Sequence, residues 1–357
     1  MRVLLTGAAG FIGAAVRARL ASDGHEVIAV DALLASAHGP SAREDALAGN
    51  GTVTVLDVRD RAALETVLRG VDVVCHQAAI VGAGVDAADA PAFASHNDLG
   101  TATLLAAMAG AGCERLVLAS SMVVYGEGRY RCARHGDQDA PSRDPAALRR
   151  GEFDLACPRC GSPLEWALVD EDAPLRPRSL YAASKTAQEH YALAWARATG
   201  GQVTALRYHN VYGAGMPRDT PYSGVAAMWR SALESGQPPR VYEDGRQMRD
   251  FIEVRDVAEL NARAVAEPLG GFTALNVCSG QPVSIGEVAT ALAAATGGPE
   301  PVTTGQFRPG DVRHIVASPH RADRLLGFRA AIAPRSGLRE FATAPLRSVD
   351  GLARPSI

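Results

Sequence analysis

Tyr181 and Lys185 stand four residues apart in the run Tyr181-Ala182-Ala183-Ser184-Lys185. On a helix this spacing puts both side chains on one face. An ammonium group beside a phenol favours the phenolate, so the pair predicts a tyrosine titrating below its usual value near ~10. Such a tyrosine can take and return a proton at an alcohol carbon, which hydride chemistry on a hydroxyl group requires. Tyr-x-x-x-Lys alone also occurs on ordinary surface helices. Its weight here comes from Ser120-Ser121-Met122-Val123-Val124-Tyr125-Gly126 upstream and from a cofactor signal at the amino terminus.

Arg2–Thr6 is a β-branched and leucine-rich run suited to a buried parallel strand. It enters Gly7-Ala8-Ala9-Gly10-Phe11-Ile12-Gly13 directly, and a helical pattern follows to about Leu20. Strand, glycine turn and helix in that order form the context of a dinucleotide site. The glycines allow a tight turn and let backbone amides approach a pyrophosphate at the positive end of the helix. Their spacing is G-x-x-G-x-x-G, which differs from the common G-x-G-x-x-G. A second strand, Glu26–Val30, ends in Asp31. A carboxylate there accepts hydrogen bonds from the adenosine ribose and repels a 2′-phosphate. Ala32-Leu33-Leu34 offer no arginine to hold such a phosphate, so NAD is expected rather than NADP.

The elements needed to position these residues alternate along the chain. Thr52–Asp57, Val71–His76, Arg115–Ser120 and Val203–Tyr208 read as strands, and Ala62–Arg69, Ala92–Ala111 and Ser179–Ala198 as helices. This is the pattern of an α/β fold with a doubly wound parallel sheet of the Rossmann type. Ligands in such sheets sit beyond the carboxyl ends of the strands, where Asp31, Asp57, His76, Ser121, His209 and Asn210 fall. After Tyr212 the order is irregular, with loops at Met216–Tyr222, Gly236–Pro239 and Thr303–Asp311. The expected division is a dinucleotide domain over 1–210 and a mainly substrate-binding portion over 211–357. Within the latter, 250–278, including Phe251–Val254 and Leu275–Val277, is expected to return to the sheet. A length of 357 residues suffices for a sizeable core, and a net charge of −3 gives no reason to expect nucleic acid or an anionic membrane. No apolar run approaches a membrane span and the chain opens in a strand, so a cytoplasmic location is the expectation.

An ordered set of motifs extends over most of the chain. It comprises Gly7–Gly13, Asp57-Val58, His76-Gln77-Ala78-Ala79, Asn97-Asp98-Leu99-Gly100-Thr101, Ser121 to Gly126 and Tyr181 to Lys185. Arg207 to Gly213, Arg249-Asp250-Phe251-Ile252 and Arg308-Pro309-Gly310-Asp311 complete it. Together they resemble the extended short-chain dehydrogenase/reductase family in its nucleotide-sugar branch. The resemblance implies that Tyr181 is the base and that Lys185 also holds the nicotinamide ribose. It implies that Ser121, with Met122, borders the sugar. It assigns the cofactor to Gly7, Gly10, Phe11, Ile12, Gly13, Asp31, Asp57, Val58, Gln77, Ala78, Ala79, Asn97 and Tyr208, besides Tyr181 and Lys185. Asn210, Arg249 and Arg308 would contact the nucleotide diphosphate, for which a planar guanidinium fork is well shaped. The family also pairs two helices across a two-fold axis, which makes Ala92–Ala111 and Ser179–Ala198 candidates for a homodimer interface.

Family members that eliminate water carry an Asp-Glu pair after the serine or threonine, and decarboxylases keep a glutamate at the second position. Met122 and Val123 stand there, and neither transfers a proton. The chemistry left is oxidation of a sugar hydroxyl followed by return of the hydride. This points to an NAD-dependent nucleotide-sugar 4-epimerase passing through a 4-keto intermediate. The segment Ser120–Cys132, together with Arg207–Gly213 and Thr220-Pro221-Tyr222-Ser223-Gly224, resembles most the branch acting on a dTDP-6-deoxyhexose such as dTDP-L-rhamnose. Met216 to Thr220 depart from that pattern, which leaves the sugar open. A 4-ketoreductase on a dTDP-4-keto-6-deoxyhexose and a UDP-hexose 4-epimerase remain alternatives. A non-catalytic NAD sensor has no use for Ser121, Tyr181 and Lys185 together.

Between Ser121 and Tyr181 the family has a far shorter connection. The extra residues, Arg129 to about Asp172, carry Cys132-Ala133-Arg134-His135 and Cys157-Pro158-Arg159-Cys160. Two paired-ligand knuckles of this kind have the spacing of a structural zinc ribbon, closed by four ligands and remote from catalysis. With seven arginines and nine acids the insertion has no basic stripe for nucleic acid. Cys75, Cys113 and Cys278 lie in apolar surroundings and read as core. His76 and His209 read as packed, hydrogen-bonded histidines, and Trp195 as a core or interface residue.

Overall fold

The structure, a computed structural model, describes residues 1–46, 53–82, 86–218, 224–308 and 310–347. Thr52, Thr220 to Ser223 and Pro309, named above within motifs or elements, lie outside the described residues. The centre is a seven-stranded sheet of β1 (Arg2–Thr6), β2 (Glu26–Asp31), β3 (Thr54–Val55), β4 (Val73–His76), β5 (Arg115–Ser121), β6 (Gln202–Tyr208) and β7 (Phe272–Val277). The spatial order is β7-β6-β5-β4-β1-β2-β3, with every neighbour pair parallel. The chain thus winds outward in two directions from β1, and the switch between β1 and β4 opens a crevice at their carboxyl ends. In register, Thr6 faces His76 and Ser121 faces Tyr208 there.

Alternate residues of a strand point to opposite faces, so a strand covered on both sides is apolar throughout. Val3 and Leu5 join one hydrophobic layer with Val16, Leu20, Val257 and Leu260. Leu4 joins the other with Leu64, Leu104, Met108, Ala192 and Ala196. The first layer is roofed by α1 (Phe11–Ser22), the second by α2 (Gly100–Ala111) and α3 (Leu180–Thr199), and α4 (Val254–Ala266) lies beside α1. The helix expected over Ala92–Ala111 is interrupted, with α-helix over Ala90–Phe93 and a π-turn over Ala94–Leu99 before α2. Asn97 sits in that π-turn, and its side chain bonds both backbone groups of Ile80 and the Ser184 hydroxyl.

Phe272–Val277 returns to the sheet, but Phe251–Glu253 does not. It pairs in parallel with Asn210–Tyr212 in a separate two-stranded unit. The cause is local: the amide of Asn210 donates to the Asp250 carbonyl, while the Asp250 carboxylate takes the amides of Ser279 and Gly280. The loop expected over Thr303–Asp311 is preceded by a short strand, Val302–Thr303, paired with Arg240–Val241. A third apolar cluster unites Tyr212, Met216, Trp229, Leu233, Phe251, Leu292 and Phe341 over the crevice, with Phe11 packed against it. The inserted segment forms a three-stranded antiparallel sheet of Gly136–Gln138, Arg129–Cys132 and Glu165–Ala167 around Tyr130, Leu155 and Leu164. Among the described residues, no helix is long and apolar enough to cross a membrane.

Candidate active site

The glycine turn has no room for side chains. Gly7 has φ +68°, and a Cβ on it would lie 2.6 Å from the Ala78 nitrogen. A Cβ on Gly13 would lie 2.0 Å from the Gly7 carbonyl oxygen, so α1 can approach β1 only with glycine there. Helix α1 starts at Gly10 with no side-chain cap and no acid in its first turn, leaving free amides of positive potential for an anion. Asp31 accepts from the amides of Ala9 and Leu33, which holds its carboxylate beside the turn. The chain therefore fits a dinucleotide at this turn.

Other residues assigned to the cofactor build the floor of the crevice. The single proton of the Tyr208 hydroxyl is shared between Gln77 Oε1 and Asn261 Oδ1, each at 3.0 Å, and Gln77 donates to Asn261. The Ala78 amide is held by Thr6, and Asn97 is engaged wholly with protein groups. Asp57 grips Arg59, whose hydrogen bonds hold its carboxyl below the usual carboxylate range. Val58 is buried, and Ile12 packs on the first hydrophobic layer. His76 is buried between the hydroxyls of Thr6 and Thr101, and His209 is buried as well. Burial lowers both imidazoles to about 3, so neither takes a proton near neutral pH.

Helix α3 begins at Ser179, whose side chain accepts from the Ala182 amide and fixes the first turn. In that first turn Tyr181 meets Ser121 at the end of β5. The expected acidification of Tyr181 by Lys185 is not what the structure gives. Burial pushes Tyr181 up to about 12, with the hydrogen bond to Ser121 opposing it. The Lys185 ammonium lies 6.0 Å from the tyrosine ring centroid and donates to the Ala119 carbonyl at 2.9 Å. Burial also brings Lys185 down to about 7, against the pull of Glu189. Desolvation therefore outweighs the pairing.

Tyr181 opens onto a cavity of about 970 Å³. One end is lined by Met122, Val123, Arg178, Ser179 and Asn210. The other is lined by Trp229, Tyr242, Gln247, Arg249 and Arg308. Asn210 is fixed by donation to the Asp250 carbonyl. Arg249 is anchored to the carbonyls of Met248, Val312 and Arg313, and Arg308 lies 5.2 Å over the Tyr242 ring. The cavity thus joins the tyrosine end, where Arg178 is the charged lining group, to a second end with the guanidinium groups of Arg249 and Arg308.

A profile of the NAD dependent epimerase/dehydratase family matches residues 3–147 and 161–278. The chain belongs to that family. It is an NAD-dependent enzyme of the extended short-chain dehydrogenase/reductase type. It is 33% identical to a dTDP-L-rhamnose 4-epimerase from Burkholderia thailandensis over 96% of this chain and 94% of the relative. It is 31% identical to a UDP-glucose 4-epimerase from Mycolicibacterium smegmatis over 95% of this chain and 96% of the relative. Among solved structures it is similar to the Thermus thermophilus UDP-glucose 4-epimerase in complex with NAD. The TM-score there is 0.74 at 32% identity, covering 96% of this chain and 98% of that one.

Away from the cavity mouth, Cys132, His135, Cys157 and Cys160 place one ligand atom each within 4.8 Å of one another. Cys132 Sγ is 3.7 Å from Cys160 Sγ and 3.6 Å from His135 Nδ1, and Cys157 Sγ is 3.5 Å from the same nitrogen. Cys75, Cys113 and Cys278 are buried elsewhere with free thiols. Trp195 packs, partly buried, against the second hydrophobic layer.

Several residues of this epimerase/dehydratase chain carry no sequence signal for their place. Arg347 donates at 2.7 Å to the Ala9 carbonyl in the glycine turn and lies close to Asp31. His38 Nε2 stands 3.6 Å from Asp31. Trp229 and Tyr242 supply the aromatic wall of the far end. Gly13→Ala would drive a methyl group into the Gly7 carbonyl, and it is expected to weaken NAD binding at least about tenfold. Calorimetric titration of nucleotide-free protein measures this; a wild-type dissociation constant would contradict the cradle.

Proposed function

We propose that this enzyme is a nucleotide-sugar 4-epimerase acting on a dTDP-6-deoxyhexose of the L-rhamnose kind. The observation that carries the reaction type is the composition of the tyrosine end of the cavity. Ser121 and Tyr181 meet there, while Met122 and Val123 line it without any group able to eliminate water. NAD, when bound, would supply the hydride acceptor and donor, and the positive charge of its oxidised ring would favour the Tyr181 phenolate. Tyr181 takes the proton from the sugar 4-hydroxyl while Ser121 holds that oxygen. The 4-keto sugar turns over within the cavity, and Tyr181 returns the proton once the opposite face has been reduced. Lys185, tied to the Ala119 carbonyl and 6.0 Å from the Tyr181 ring centroid, would hold the nicotinamide ribose.

The dTDP-sugar is supported by the Burkholderia relative, which is similar along 96% of this chain. A UDP-hexose is the second reading, since the Mycolicibacterium and Thermus proteins are nearly as similar. We also propose that the Cys132, His135, Cys157 and Cys160 cluster is a closed structural zinc site. Tetrahedral zinc with its usual bonds to sulfur and nitrogen separates two thiolates by about 3.8 Å, and a thiolate from an imidazole nitrogen by about 3.6 Å. The 3.7, 3.6 and 3.5 Å separations support that reading. A homodimer built on α2 and α3 is supported by exposed Leu99 at the start of α2 and exposed Tyr191 on α3.

Tyr181→Phe should lower turnover at least about 100-fold while sugar nucleotide and NAD still bind. Turnover near wild type in that variant would remove the mechanism. Elemental analysis of the purified protein should find one zinc per chain, lost in Cys157→Ser; a preparation folded and active without metal would remove the zinc proposal.

A further inference from the structure

We infer that the inserted segment is a positioning clamp for the wall that receives the nucleoside diphosphate. This rests on the reading of the cavity as a sugar-nucleotide site. The wall consists of two stretches, Tyr242–Arg249 and Arg308–Ile315, which carry Tyr242, Gln247, Arg249, Arg308 and Asp311. Neither stretch has much regular structure of its own. Met248–Arg249 is a two-residue strand, paired with Val283–Ser284. Besides backbone bonds between the stretches and the bond from Ile285 to Gln247, they are held by charged side chains of the insertion.

Arg143, with its side chain 5% exposed, donates to Glu243 at 2.7 Å and to the carbonyls of Asp311 and Phe153. Arg313, with its side chain fully buried, bonds Asp154 from the insertion together with Glu243 and Asp244 from the wall. Its guanidinium also lies over the Phe153 ring. Tyr130 accepts from the His314 amide through its hydroxyl and donates to Glu127, which in turn accepts from the Arg313 amide. One charged network therefore spans the insertion and both halves of the wall. Arg143, Glu243 and Arg313 are its buried members, and their links hold one geometry because removing a partner leaves a buried charge less compensated.

The network is coupled to the cysteine cluster through the chain itself. Tyr130 shares a small apolar core with Cys132, Leu155, Cys157 and Leu164, and Phe153-Asp154 immediately precede Leu155. Ordering the knuckles thus orders Asp154 and Tyr130, and they hold Arg313 and His314, which lie between the cavity-lining Val312 and Ile315. Arg249 hangs from this assembly by the carbonyls of Val312 and Arg313. Arg143 and Asp154 are positioning residues and touch no reacting atom.

The test uses Arg143→Gln and Asp154→Asn in the full-length, NAD-loaded protein. Dissociation constants for dTDP and UDP are measured by calorimetry, alongside KM, kcat and NAD retained per chain. Arg143→Gln should weaken nucleoside-diphosphate binding and raise KM about tenfold, with kcat within about twofold and NAD retention unchanged. Asp154→Asn should shift the same quantities less, since Glu243 and Asp244 still face Arg313. Arg143→Lys should recover part of the affinity, and chelation of the wild-type protein should reproduce the Arg143→Gln pattern. Wild-type affinity in Arg143→Gln, or a parallel fall of kcat and NAD retention, overturns the clamp. If wild-type protein binds neither dTDP nor UDP, the sugar-nucleotide reading falls and the clamp falls with it.

Discussion

The site depends on how α3 is held against the sheet. Glu189, buried on that helix, forms two hydrogen bonds with Arg207 from β6 and accepts one from Ser120 of β5. Arg207 completes its shell with the Tyr125 hydroxyl and the Glu171 carbonyl. Both charges of the pair are almost fully buried, so either alone would be costly, and the pair therefore admits one arrangement of helix and strands. One turn along, Lys185 adds its bond to the Ala119 carbonyl. These bonds fix the rotation of α3, and rotation decides that Tyr181 meets Ser121 rather than solvent. The placement of Tyr181 thus follows from a packing constraint between α3 and two strands, β5 and β6.

The same burial carries an electrostatic consequence. An isolated view of Tyr181 and Lys185 predicts an acidified phenol, yet desolvation dominates and pushes the phenol up.

How much of this the sequence carries depends on how local the determinants are. The β1, glycine turn and α1 unit and the Tyr181–Lys185 pair are written in contiguous residues, so spacing reveals them. Asn97 was readable as a motif but not in its role, because its partners Ile80 and Ser184 come from other elements. Phe251–Glu253 looked like a strand of the main sheet since its apolar run is the same in either setting; the Asp250 carboxylate, bonded to Ser279 and Gly280, decides otherwise. Arg347 beside the glycine turn, and Arg143 and Arg313 behind the cavity wall of Arg249 and Arg308, have ordinary surroundings in sequence. Their partners lie far along the chain, and only folding brings them together. The two cysteine knuckles gave the opposite case, where ligand type and spacing announced a cluster that the fold assembles.

The central claim is that one bound nicotinamide removes and returns the same sugar hydrogen, with Tyr181 moving the proton. The most direct measurement is NMR of dTDP-L-rhamnose and of UDP-glucose incubated with purified protein in the absence of added nicotinamide. The account predicts that one of them converts to its 4-epimer to equilibrium, at constant mass. No conversion of either sugar, or conversion only with stoichiometric consumption of added NADH or NADPH, would contradict it.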